Sequence, residues 1–242
     1  MKSVKNINYH NDLFMDLFLP DEKEFWTIVY FHGGGLIEGD KGDSHQFCEH
    51  LANKGYAVFT ANYSLMPESH FPVFLKDAAK AVRWAKDHID DYGKSKGIII
   101  FGQSAGAYIT LMLCFNKEYL NEVGIDNDEI ACWVSDSAQP TTHFNILKYE
   151  RNLSPLLQRI DEAAPLYYVD EKTRFSKLLL ISYENDLNNR LEQNKLLYST
   201  LKNFNKNANV ELRVLKGGHC HGSGELDDDN EYEVIKEMVK II

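Results

Sequence analysis

The sequence predicts a single α/β domain whose mostly parallel sheet carries helices on both faces, and three features lead to that expectation. First, continuous apolar runs rich in β-branched or aliphatic residues, such as 97–101 and 178–183, read as strands covered on both faces. Second, segments of helical period lie between those runs, the clearest placing Leu75, Ala78, Val82, Ala85 and Ile89 on one face. Third, the stretch Phe101-Gly102-Gln103-Ser104-Ala105-Gly106-Ala107 joins an apolar strand to an apolar helix through a G-x-S-x-G turn. A length of 242 residues suits one such domain with one core.

In chain order, residues 4–19 alternate loosely and predict two leading antiparallel strands, closed by Pro20-Asp21. Thr27–Phe31 is a strand running into His32-Gly33-Gly34-Gly35. Residues 44–54 read as a helix with Gly55 as its stop, and Tyr56–Thr60 as the next strand. Pro72 opens the periodic helix, which Gly93 ends. After the serine turn, Ala131–Ser135 is a strand, and Pro140, Pro155 and Pro165 keep 137–176 from forming a long helix. That segment is expected to cover the mouth of a site as a cap-like insertion within a single domain spanning 1–242. Leu178–Tyr183 and Val210–Leu215 are the last two strands, with a helix over 188–204 between them. A stripe of Val234, Ile235, Met238, Val239 and Ile242 predicts a final helix, and Asp227–Asp229 suit its N-terminus.

Composition narrows the function. A hydrophobic fraction of 44% with three Trp, 13 Tyr and 13 Phe excludes a disordered chain. A formal net charge of -10 argues against nucleic acid and anionic membranes as partners, and disfavours strongly anionic substrates unless a pocket has its own field. The four cysteines are scattered without metal-ligand spacing, and Cys114 and Cys132 fall in apolar segments. The first residues lack an apolar leader and no run approaches 18 apolar residues, so a cytoplasmic protein is expected. A homodimer is left open.

The chemistry is expected on loops that follow strands, because ligands bind beyond the carboxyl ends of a parallel sheet. Ser104 sits at a turn that forces its hydroxyl outward, with Gly102 and Gly106 removing Cβ atoms where strand and helix cross. A serine hydroxyl is a weak nucleophile, so it needs a base, an acid and an anion site. The glycines after His32 offer backbone N–H groups: Gly34 and Gly35, with Ala105, are the expected oxyanion donors, and His32 is expected to brace the loop. Asp186, in the loop after the 178–183 strand, is the expected acid, with Glu184 as its competitor. His219, following Gly217-Gly218, is the expected base, with His221 as the alternative. A metal site on His219-Cys220-His221 is disfavoured, because three adjacent ligands strain a tetrahedral site.

With these residues in place the chain resembles the hormone-sensitive-lipase-like carboxylesterases of the α/β-hydrolase superfamily. The resemblance is carried by His32-Gly33-Gly34-Gly35, by Asn62 to Glu68 with Pro72, Asp77 and Trp84, and by Gly102-Gln103-Ser104-Ala105-Gly106. The order Ser104, Asp186, His219 is the order expected of α/β-hydrolases. The resemblance implies an α/β-hydrolase fold and serine-dependent hydrolysis of small-molecule esters through an acyl-enzyme, without a cofactor. Gln103 stands where that family more often has an acidic residue. The short N-terminus is closer to compact bacterial esterases acting on acetylated or feruloylated sugars, and to kynurenine-formamidase-like enzymes. His219-Cys220-His221 replaces the more usual His-Gly-Phe and leaves both histidines as candidates. A formamide or amide hydrolase, a hydrolase-fold binding protein without activity, and a metal-dependent hydrolase using His219 and His221 are the competing readings.

Overall fold

A computed structural model describes residues 1–242. Its elements in chain order are β1 (Lys2–His10), β2 (Leu13–Leu19), β3 (Glu24–Phe31), α1 (His45–Asn53), β4 (Tyr56–Ala61), α2 (Val73–His88), β5 (Lys94–Gln103) and α3 (Ala105–Phe115). There follow α4 (Glu118–Glu122), β6 (Ile130–Asp136), α5 (Phe144–Tyr149), β7 (Leu178–Asn185), α6 (Arg190–Phe204), β8 (Val210–Gly218), α7 (His221–Gly224) and α8 (Glu233–Val239). All eight strands form one sheet in the order β1-β2-β4-β3-β5-β6-β7-β8. Pairing is antiparallel from β1 through β2 to β4 and parallel from β4 to β8.

The apolar runs end up buried on both faces because alternate residues feed two separate cores. Ile98 and Ile100 of β5 join the cluster under α2, α3 and α6, whereas Ile99 and Phe101 join the one under α1 and α8. β7 repeats the division, with Leu178 and Leu180 on one side and Leu179 and Ile181 on the other. A helix layer over each face is therefore what these strands require. α3 is buried along its whole length, which its run of apolar residues demands. No helix is long and apolar enough to cross a membrane.

Some boundaries differ from the sequence expectation. β5 begins at Lys94, ahead of the apolar run, because backbone pairing with β3 extends through polar residues. Pro72 caps α2 rather than forming its first turn. Asp227 and Asp229 do not lead directly into α8; both pair with Lys236 inside it. Val239, expected on the buried stripe, is exposed, and α4 had no sequence signal of its own.

Candidate active site

The turn at Ser104 is built by close contacts that exclude side chains. A Cβ on Gly102 would lie 2.0 Å from the Gly106 carbonyl oxygen, and a Cβ on Gly106 would lie 2.0 Å from that of Phe31. Strand and helix can cross this tightly only over bare backbone. Ser104 itself has φ 53° and ψ -110°, a conformation that costs a non-glycine residue about 1–3 kcal/mol. Its neighbours hold it there: the Ser104 amide donates to Asp136 O at 2.8 Å, and Tyr108 N donates to Ser104 O at 3.0 Å.

Two and three strands away, the ends of β7 and β8 supply a carboxylate and an imidazole. His219 is the first residue after β8, and its Nε2 lies 2.8 Å from Ser104 Oγ. Its Nδ1 lies 2.5 Å from Asp186 Oδ1. A carboxylate accepts only, so Nδ1 carries the proton and Nε2 is left to accept from the serine hydroxyl. The Asp186 side chain is 1% exposed and that of His219 is 23% exposed, so the relay runs from a dry interior to an accessible imidazole. Burial pushes the Asp186 carboxyl up, but His219, the Leu187 amide and the Ser137 hydroxyl together outweigh it and hold it below the usual range.

The competing candidates lie elsewhere. His221 faces outward, 3.6 Å from Glu225, and Glu184 is exposed at the end of β7. His32 is buried, stacks on Tyr63 at 4.4 Å, and its Nδ1 donates to Gly33 O at 2.7 Å, while Tyr63 Oη donates to His32 O. That arrangement braces the glycine loop from behind.

In that loop, Gly33 packs against Ser104, with only 3.4 Å between the Ser104 Cβ and the point where a Gly33 Cβ would sit. Gly34 (φ 100°) could not carry a side chain, since a Cβ would meet Glu38 O at 1.9 Å. The amides of Gly34 and Gly35 donate to no backbone group. Ala105 opens α3, so its amide is among the first-turn donors that a helix leaves without a partner one turn below. Asn145 Nδ2 donates to Gly35 O at 2.6 Å and anchors the loop from α5.

Sequence reasoning did not single out the layer behind these residues. Ser137, with φ 61°, donates to Asp186 Oδ2 at 2.9 Å and accepts from the Cys220 amide at 3.2 Å. Asp136 is fully buried beside it, bonded by the Ser223 hydroxyl, which in turn accepts from Gln103 Nε2 at 2.8 Å. Burial pushes the Asp136 carboxyl up to about 6. Gln103, the variable residue of the G-x-S-x-G turn, thus ties the strand before Ser104 to α7, which follows His219. No local pattern announces Ser137 or Asp136, because a polar strand end looks the same whether or not it meets a distant loop.

The arrangement places a hydroxyl, an imidazole and a carboxylate in one hydrogen-bonded line beside a glycine loop. A family model described as BD-FAE matches residues 15–201. The esterase LipI of Mycobacterium tuberculosis is 34% identical over 96 residues, which cover 39% of this chain and 30% of that protein. Lipase 2 of Moraxella is 28% identical over 147 residues, covering 60% and 32% respectively. The acetyl esterase of Salmonella paratyphi B is 30% identical over 104 residues, covering 42% and 32%. The chain therefore spans only about a third of the length of these curated relatives. Among solved structures, esterase B of Lactobacillus rhamnosis superposes with a TM-score of 0.82 at 17% identity, covering 99% of this chain and 84% of that one. The hyperthermophilic esterase of Pyrobaculum calidifontis gives 0.75 at 20% identity, covering 99% and 82%. These likenesses establish the fold.

Proposed function

Because the chain belongs to the BD-FAE family, we propose that it is a serine hydrolase of carboxylic esters, with Ser104 as nucleophile, His219 as base and Asp186 as the orienting acid. The observation that carries this reading is the continuous relay of 2.8 Å from Ser104 Oγ to His219 Nε2 and 2.5 Å from His219 Nδ1 to Asp186.

In this mechanism Ser104 Oγ attacks the ester carbonyl as His219 Nε2 takes its proton. Asp186 holds the imidazole tautomer and stabilises the imidazolium, for which its lowered carboxyl range suits it. The carbonyl oxygen, now negative, is received by the Gly34, Gly35 and Ala105 amides. Each such donor is worth about 2.7–4 kcal/mol of barrier. His219 returns the proton to the departing alcohol, and water repeats the steps in reverse to release the acid.

Residues 137–176 act as a small cap on a single domain and favour short acyl groups or acetylated small molecules. The name of the Salmonella relative, an acetyl esterase, points the same way. Cytoplasmic residence is supported by four buried cysteines that form no disulfide. A fluorophosphonate probe tests the central claim. It is expected to add its mass at Ser104 and to leave Ser104→Ala unlabelled; an unlabelled wild-type protein sinks the reading. Hydrolysis of p-nitrophenyl acetate is expected to exceed that of the decanoate, and the reverse preference removes the short-acyl assignment.

A further inference from the structure

A cavity of about 620 Å³ lies beside the relay, lined among others by Gln139, Phe144, Leu156, Leu187, Asn188 and Arg190. One wall meets the glycine loop, since Phe144 Cζ lies 3.4 Å from where a Gly35 Cβ would sit. The opposite wall begins at Leu187, next to Asp186. The cavity thus reaches both the glycine loop and the residue next to Asp186.

Arg190 sets the character of the cavity. It is 4% exposed, yet no carboxylate lies within ion-pairing distance of its guanidinium. The guanidinium makes one hydrogen bond in the chain, from Nη1 to Ser137 O at 3.0 Å, and its buried Nε has no partner. Asp186 is near enough for its field to favour the charged guanidinium, but it makes no ion pair or hydrogen bond with it, and its own bonds go to His219, the Leu187 amide and Ser137. The polar amides around it are also occupied: Gln139 bonds Thr142 O and the Phe144 amide, and Gln193 bonds Thr141 and Gln158. No acidic residue lines the cavity. Burying a cation that forms no ion pair is costly, and a bound anion offsets that cost. α6 also starts at this cavity, and its N-cap residue Asn189 makes no side-chain capping bond.

We propose that this cavity is a substrate subsite in which Arg190 receives a carboxylate carried by the ester, so that the enzyme selects esters of acid-bearing molecules. A carboxylate fits better than a phosphate. The guanidinium fork matches a planar, singly charged group, and no second cation is present to balance a dianion. Leu156 and Leu187 suit the methylenes between the ester and the acid. The overall negative charge of the chain disfavours anions at long range, so selectivity rests on this one desolvated contact. The inference depends on Ser104 being the nucleophile for its catalytic consequence, but not for the binding itself.

Binding and turnover separate those two claims. In Ser104→Ala, calorimetry should show monoethyl succinate or glutarate, or the O-acetyl ester of 3-hydroxybutyrate, binding about tenfold to a hundredfold tighter than the matching neutral amide. Adding Arg190→Gln should bring the ratio close to one, and Arg190→Lys should retain part of it. In the wild type, kcat/KM for the charged and neutral members should differ by a similar ratio. Circular dichroism and melting of each variant identify loss of fold, and the wild-type ratio stands without them. A ratio near one in both the half-ester and the acetylated series overturns the subsite while leaving the esterase reading intact. Selective binding without turnover or probe labelling overturns the esterase reading and upholds the subsite.

Discussion

The ends of β6 and β7 each carry a buried aspartate within one small region, yet the two carboxylates live under different rules. Asp186 at the end of β7 meets an imidazole, an amide and a hydroxyl, and its carboxyl is held below the usual range despite burial. Asp136 at the end of β6 meets only hydroxyl partners in a fully buried position, and its carboxyl rises to about 6. The loop geometry makes the difference. The chain leaves β7 toward His219, whereas after β6 the left-handed turn at Ser137 directs a hydroxyl back onto Asp186. One carboxylate faces the imidazole, and the other stands behind it, joined through the Ser137 hydroxyl.

The sharpest break in this comparison comes through the histidine that only Asp186 touches. His219→Ala is expected to lower kcat on p-nitrophenyl acetate by a factor on the order of 10⁶, as removal of a triad base does elsewhere. His221→Ala, altering an exposed side chain, should stay within about threefold. Equal losses in both would move the base assignment. Exchanging the two carboxylates for amides comes next. Asp186→Asn should cost roughly 10⁴ in kcat by leaving the imidazole in the wrong tautomer. Asp136→Asn, which mimics a protonated carboxyl, should cost less than about tenfold. A reversed order would make Asp136 the acid.

The pH dependence of stability sharpens the comparison further, since the two groups act with opposite sign. Asp136 has a raised carboxyl range in the fold, so its contribution is full at low pH and is lost as pH rises from about 4 to about 6. The shift corresponds to about 3 kcal/mol. Asp186 has a lowered range, so its contribution is present above about 4 and is lost as pH falls. Urea unfolding followed from pH 3 to pH 8 should show the first slope vanish in Asp136→Asn and the second in Asp186→Asn. A milder loss belongs to Ser137→Ala, which removes one hydrogen bond to Asp186 and should lower kcat/KM by about tenfold. No change in that variant would detach the β6 loop from the reaction.

Much of the candidate site was legible because each of its parts follows a strand that shows in the sequence pattern. Ser104 and Asp186 stand after apolar runs that read as strands regardless of partners, and His219 follows a run that ends in two glycines. Strand lengths were less legible, since Lys94 to Lys96 join β5 through backbone bonds that leave no mark on side-chain pattern. The choice between His219 and His221 was only partly legible: the preceding glycine pair favoured His219 but left His221 open. Both are exposed-loop imidazoles in sequence, and the left-handed turn at Cys220 (φ 58°) separates their directions.

By itself the sequence determined the sheet with two covered faces, the glycine-lined turn at Ser104 and the order of the loops. All of these follow from local rules, namely the period of apolar residues and the freedom of glycine backbone. Only the tertiary structure decided which imidazole meets the serine, that Ser137 and Asp136 stand behind Asp186, and that Arg190 is buried without an ion pair. Those facts depend on distances between segments more than 30 residues apart. Side-chain pattern along a chain encodes which face a residue takes, but not which distant group it will face.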